Sequence, residues 1–216
     1  MGRYVSPNVI HNANGVLNYL HVGWWMQNKE FTPRQRCANR TELHTLLGTE
    51  LANVPVTYLE FGVFRGESLR LWSALLRNSE SELHGFDSFE GLPESWVSGC
   101  DKGAFALNGN IPQFEDPRVK LHQGWFSNTL PPFLQDFHPK EQLVVHLDAD
   151  LYSSTIFVLQ QLQGLLRSGT LLIFDEFFDR NHELKALAEF LGDHPSFQLD
   201  CLAATEDFVQ VAFRVR

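Results

Sequence analysis

The sequence predicts an α/β fold: a mainly parallel sheet of seven strands with helices on both faces and a helical cap ahead of it. Three observations carry this. From Val54 onward, short apolar runs alternate with stretches of helical period. Four of the first five apolar runs end in acids, as ligand-binding strand ends do in open α/β sheets. The tail "FQLDCLAATEDFVQVAFRVR" reads as two strands around a short turn, an antiparallel edge added to the sheet.

Residues 8–30 are mixed apolar and polar and suggest a helix broken near Gly15 or Gly23. In "TPRQRCANRTELHTLLGTEL", Pro33 near the start and Leu43, Leu46, Leu47 and Leu51 at helical spacing suggest an amphipathic helix. Residues 1–53 are therefore expected to be a helical cap and 54–216 the sheet domain. "VTYLEFG", "ELHGFD", "RVKLHQG", "QLVVHLDAD" and "TLLIFDEFF" are the five leading strands. The helices between them are "GESLRLWSALLRN", "TLPPFLQDF" with its prolines in the first turn, and "SSTIFVLQQLQGLLRSG" ending at Gly169. "HELKALAEFLGDH" is a further helix. Residues 92–117, rich in Gly, Pro and Asn, break the alternation and are expected to act as a lid.

Composition narrows the function. With 216 residues, 44% hydrophobic and 20% charged, the chain suits one soluble domain with a full core. A net charge of −9 argues against a nucleic-acid backbone or an anionic membrane as main partner. No run is apolar enough for a membrane span, and "MGRYVSPNVIHNANG" lacks a signal-peptide core. Gly2 and Ser6 fit the outline of a myristoylation signal, but no polybasic segment supports it. Cys37, Cys100 and Cys201 are odd in number and widely spaced, which suggests a reducing cytoplasm rather than disulfides or zinc.

The strand ends hold the candidate chemistry. Gly62 to Gly66 is a G-x-x-x-G turn opening a helix, suited to close ligand approach but not the dinucleotide fingerprint. Asp87 follows about twenty residues later, where an acid accepts from ribose hydroxyls or simply fixes a turn. Glu60 is an acid in an apolar run, placed to fix the Gly turn or to meet a cationic ligand group. Asp148, Asp150, Asp175 and Glu176 crowd two neighbouring strand ends. Such hard oxygen ligands suit Mg²⁺, Mn²⁺ or Ca²⁺, while helix capping is the alternative, most plainly for Asp150. His122 and His146 sit in apolar strands and are expected to be core residues, and His182 a rim or helix-start residue. Trp96 and Trp125 are the aromatics expected to touch ligands.

The motifs "YLEFGVFRGESL", "HGFDSFEGLPE", "GWFSNTLP", "HLDADLYSST" and "GTLLIFDEF", in this order, resemble the macrocin O-methyltransferase family over about residues 58–177. The resemblance implies a class I, Rossmann-like methyltransferase fold of seven strands with the last one antiparallel. It implies S-adenosylmethionine as cofactor and Mg²⁺-dependent methylation of sugar hydroxyls in natural-product biosynthesis. It implies Asp148, Asp175 and Glu176 as metal ligands and Asp150 as general base. Glu60, Gly62, Gly66, Ser68, Asp87, Ser88 and Asp148 would hold the cofactor, with Gln123, Gly124 and Trp125 near the adenine. Glu176 stands where some members have Asp, and either residue can ligate. The acceptor would be a small glycoside or other vicinal diol, and the assembly a homodimer or larger. A catechol-type acceptor, a nicotinamide oxidoreductase and a non-catalytic S-adenosylmethionine-binding module are the alternatives weighed.

Overall fold

The computed structural model describes residues 7–97 and 99–216, so Gly2 and Ser6 lie outside the described residues. In chain order the elements are α1 (Pro7–Asn28), β1 (Gln35–Cys37), α2 (Arg40–Glu50), β2 (Val56–Phe61), α3 (Glu67–Leu75), β3 (Glu82–Asp87) and β4 (Val119–Gln123). There follow α4 (Phe126–Leu134), β5 (Gln142–Leu147), α5 (Tyr152–Leu162), β6 (Leu171–Phe174), α6 (Glu183–Asp193), β7 (Leu199–Thr205) and β8 (Val211–Val215). Among the described residues, no helix is long and apolar enough to cross a membrane.

The strands form one eight-stranded sheet in the order β1-β7-β8-β6-β5-β2-β3-β4. Every neighbouring pair is parallel except the two made by β8, which runs against both β6 and β7. After β4 the chain returns to the far side of β2, so the strand order switches direction between β2 and β5. Such a switch point opens a crevice at the carboxyl ends of the strands.

Residues alternate between the two faces of each strand. Leu59, Phe61, Val145, Leu147, Leu172 and Phe174 join one core with α1, α5 and α6. Val56, Tyr58, Val144, Leu171 and Ile173 join the other with Leu43 and Leu47 of α2 and Leu69 and Trp72 of α3.

Four expectations change. Gln35–Cys37 is a strand paired with Ala203–Thr205, not the start of a helix. The helix starts at Arg40 because the Asn39 side chain accepts from the Glu42 N–H and caps it. That short strand brings the count to eight, and it is the edge: the predicted antiparallel edge pair lies inside the sheet, with β8 between β6 and β7. The helix α1 runs unbroken through Gly15 and Gly23, where an isolated glycine weakens a helix by only ~1 kcal/mol. Pro131 and Pro132 sit past the first turn of α4, which begins at Phe126.

Between Asp87 and Val119 the described residues form no helix or strand. They are nonetheless tied down. The Leu92 N–H donates to Ala104 O, Leu107 N–H donates to Phe89 O, and Leu107, Ile111 and Phe114 pack on the core shared by α2 and α3.

Gly62 has φ +96°, and a Cβ there would lie 1.8 Å from the Asp148 carbonyl oxygen. Gly62→Ala should therefore destabilise the fold by at least ~2 kcal/mol. Gly15→Ala, in open helical surroundings, should stabilise it by ~0.5–1 kcal/mol. Urea unfolding of both variants checks this, and equal midpoints would contradict it.

Candidate active site

The register of the parallel strands builds the site. Phe174, Leu147, Phe61 and Phe86 lie level across β6, β5, β2 and β3. The residues that follow them in the chain are Asp175, Asp148 and Gly62, each just past its strand, and Asp87, the last residue of β3, so these four form a row at the carboxyl edge. Neighbouring strands fix the backbone of three of them. Asp175 N–H donates to Leu147 O, Asp148 N–H to Phe61 O, and Gly62 N–H to Phe86 O.

A cavity of about 550 Å³ opens above this row, a size suited to a small organic ligand. Its walls include Gly62, Ser68, Asp87, Ser88, Gly124, Trp125, Asp148, Asp150, Asp175 and Glu176. Leu92, Pro93, Trp96 and Phe105 of the irregular segment also line it. Trp96 and Trp125, the two aromatics singled out from the sequence, thus both reach the cavity. His182 does not line it; its Nδ1 accepts from the Tyr152 N–H at 3.3 Å at the start of α5.

Three expected cofactor residues stand elsewhere. Glu60 is fully buried beneath the turn, where Oε1 accepts from the Ser68 hydroxyl and Oε2 from the Tyr58 hydroxyl, both at 2.7 Å. Its alternation on β2 turns it toward α2 and α3 rather than into the cavity. Gly66 is the left-handed N-cap of α3, and Gln123 is an exposed residue ending β4; neither lines the cavity. Asp87 braces the Gly turn: Oδ2 accepts from the Val63 and Phe64 N–H groups, each at 2.8 Å, and Oδ1 from Phe89 at 2.7 Å. Each carboxylate oxygen accepts two hydrogen bonds, so Oδ1 retains a free position.

The strand β5 stops at Leu147, so Asp148 and Asp150 do not alternate on a strand. Asp150 sits in the left-handed region at φ 59°, a strained conformation for a non-glycine residue. Nor does it cap α5, whose N-cap is Leu151 without a side-chain bond.

The decisive residue missed from the sequence is Arg40. Its Nη2 lies 2.6 Å from Asp148 Oδ2 and 2.7 Å from Asp175 Oδ2. As the first residue of α2 it stands at the positive end of a helix dipole, where a cation is disfavoured. That mismatch was the available signal. Glu183 was also missed; it is fully buried and its Oε2 accepts from the Glu176 N–H at 3.0 Å.

One guanidinium does not balance this many acids. Burial, then the Asp175 charge, pushes the Asp148 carboxyl well above the usual carboxylate range despite Arg40. Burial, then Asp175, raises Asp150 to about 7 and Glu176 to about 8. A set of hard oxygen donors short of positive charge fits a divalent cation such as Mg²⁺ in its chemistry. Arg40 stands between two of those donors.

A second cluster lies beneath. His44 Nε2, His146 Nε2 and Asp175 Oδ1 are buried without hydrogen-bond partners, and ligand atoms of the three residues gather within 4.8 Å. Hydrogen bonding argues against a metal there. The Trp72 N–H donates to His44 Nδ1, which leaves the proton of a neutral His44 on Nε2. A protonated nitrogen cannot ligate.

Raised carboxyl pKa values fix the sign of a pH dependence. The unfolded carboxyls ionise near ~4, the folded ones higher, so stability falls as pH rises between the two. Glu176→Gln should therefore melt close to wild type near pH 4. By pH 9, above the value of about 8, it should melt higher, by ~2–4 °C for each kcal/mol relieved. Melting curves in EDTA check this, and a difference independent of pH would contradict it.

The sequence profile of the macrocin-O-methyltransferase (TylF) family matches residues 29–200. The tetracenomycin-type enzyme 8-demethyl-8-(2,3-dimethoxy-alpha-L-rhamnosyl)-tetracenomycin-C 4'-O-methyltransferase of Streptomyces olivaceus is 31% identical over 148 residues, covering 57% of this chain and 54% of that protein. Demethyldecarbamoylnovobiocin O-methyltransferase of Streptomyces niveus is 30% identical over 146 residues, covering 58% and 54%. The matches thus span about half the length of these curated relatives. Among solved structures, the calicheamicin methyltransferase CalS11 superposes with a TM-score of 0.62 at 22% identity, over 98% of this chain and 94% of its own. The sheet order and this superposition make the fold that of a class I methyltransferase, and with the profile matched over most of its length the chain belongs to the macrocin-O-methyltransferase family.

Proposed function

We propose that this chain is an S-adenosylmethionine-dependent O-methyltransferase acting on a hydroxyl of a sugar or glycoside, with Mg²⁺ as its metal. One observation carries the proposal: the Gly62 turn, Asp87 and four acids open into a single cavity at the switch point of the sheet. The names of the two Streptomyces relatives support the reaction class, and the dimethoxyrhamnosyl group in one of them supports a glycoside acceptor.

In this proposal Gly62, Ser68, Asp87, Ser88, Gly124 and Trp125 hold the cofactor, with the free position of Asp87 Oδ1 taking a ribose hydroxyl. Glu60 acts at one remove, by holding Ser68. Asp148, Asp175 and Glu176 would hold Mg²⁺, which when bound polarises a hydroxyl and favours its ionised form. Asp150 accepts the proton that the hydroxyl loses as its oxygen attacks the S-adenosylmethionine methyl group, whose bond to sulfur breaks to leave S-adenosylhomocysteine. In the metal-free site burial and then the Asp175 charge raise this carboxyl to about 7, and a cation held by Asp175 would lower it toward the ionised form a base needs. Residues 92–117 act as the lid, with Pro93, Trp96 and Phe105 excluding water from the acceptor side. The segment expected to be a separate cap instead adds β1 to the sheet edge and packs α1 and α2 on its faces, and α2 contributes Arg40 to the site. Val16, Leu17, Leu20 and Trp24 expose an apolar face on α1 that suits the proposed homo-oligomer.

Asp150→Asn should lower kcat on a rhamnoside with free vicinal hydroxyls by ~10²–10⁴-fold. Its affinity for S-adenosylhomocysteine should stay close to wild type. Turnover within a few-fold of wild type would remove Asp150 from the role of base.

A further inference from the structure

We propose that Arg40 is the resident cation of the acid cluster, and that a divalent ion joins Asp148 and Asp175 only as the Arg40 guanidinium leaves them. This rests on the proposed reading of Asp148, Asp175 and Glu176 as metal ligands.

The contact geometry points to competition rather than cooperation. Arginine usually meets a carboxylate through its two-pronged fork. Here one nitrogen, Nη2, serves two carboxylates from two strands, at 2.6 Å and 2.7 Å. It occupies the position a single ion shared by Asp148 Oδ2 and Asp175 Oδ2 would need. Among the described residues, no three of Asp148, Asp150, Asp175 and Glu176 bring ligand atoms within 4.8 Å of one another. The cluster is therefore spaced for a guanidinium between its members, not collapsed around an ion.

The two sides differ in freedom. The Asp175 side chain is 4% exposed and its N–H is bonded to β5, so it stays. The Arg40 side chain is 37% exposed and can swing into solvent. Asp148 keeps 24% of its side-chain surface open to the cavity. Exchange replaces one positive charge with two among four acids. Until it happens, the guanidinium holds the strand ends together.

The linkage is quantitative. A ligand that needs a minor state binds with an affinity reduced by that state's population. Removing Arg40 should remove the reduction. Free Mn²⁺, followed by electron paramagnetic resonance, is the probe, with Mg²⁺ as competitor and no methyl acceptor present. Arg40→Met should bind one Mn²⁺ at least ~10-fold more tightly than wild type. Asp148→Asn in the Arg40→Met background should abolish that site. In EDTA the Arg40→Met variant should melt below wild type, and Mn²⁺ should raise its melting temperature more than that of wild type. Arg40→Gln, which also removes the charge, serves if Arg40→Met fails to fold, and S-adenosylhomocysteine binding reports an intact cofactor side in each variant.

Equal or weaker Mn²⁺ binding by the Arg40 variants, with Mn²⁺ still bound by wild type, would overturn the competition and leave the metal ligands standing. Mn²⁺ binding by no variant, with S-adenosylhomocysteine bound by all, would overturn both the competition and the metal reading. Unchanged Mn²⁺ affinity with weakened S-adenosylhomocysteine binding would assign Arg40 to the cofactor instead.

Discussion

The parallel register of β6, β5, β2 and β3 is the constraint on which the site depends. Phe174, Leu147, Phe61 and Phe86 are buried in line, and each is followed by the residue that faces the cavity. A slip of one residue in any strand would turn its apolar side chains to the wrong face and lift its acid or glycine out of the row. The close approach of Gly62 to the Asp148 carbonyl is a direct product of this register, and it explains why a side chain is excluded there. The core therefore specifies the site: the same packing that buries the apolar row sets the spacing of the groups above it.

The electrostatics run the other way. Gathering Asp148, Asp150 and Glu176 around Asp175 at a packed sheet end opposes folding, because burial and the Asp175 charge both disfavour the charges of those three. The fold offsets part of this with Arg40, delivered by α2 through the Asn39 cap. The face beneath is braced by buried polar groups. Glu60 is held by Ser68 and Tyr58, the Tyr58 hydroxyl also meets His146 Nδ1 at 2.8 Å, and Trp72 fixes His44. These bonds brace the strand ends beneath carboxyls that burial and repulsion hold toward their protonated form, as expected of a site built to receive a cation or a proton.

Much of this was legible in the sequence. The alternation after Val54 revealed the layers, because buried strands are short apolar runs and their helices carry a distinct period. The acids at the ends of those runs revealed the cavity wall. Where the sequence misled, the cause was physical. Gln35–Cys37 is too short to show a period, and only its pairing with β7 makes it a strand. Glu60 carries the same acidic label as Asp87, but its place on β2 turns it inward. The position of β8 between β6 and β7 follows from three-dimensional pairing that no local pattern encodes. Arg40 lies 108 residues from Asp148, so their ion pair leaves no local trace beyond a cation at the wrong end of a helix.

The central claim is that the row from Gly62 to Asp87 receives S-adenosylmethionine. Calorimetric titration of S-adenosylmethionine into wild type and Asp87→Ala, with NAD as the control ligand, tests it most directly. The account predicts one saturable site in wild type, weakened by at least ~10-fold in Asp87→Ala, a loss of ~1.4 kcal/mol or more, and no competition from NAD. Absence of S-adenosylmethionine binding, or displacement of it by NAD, would contradict the account.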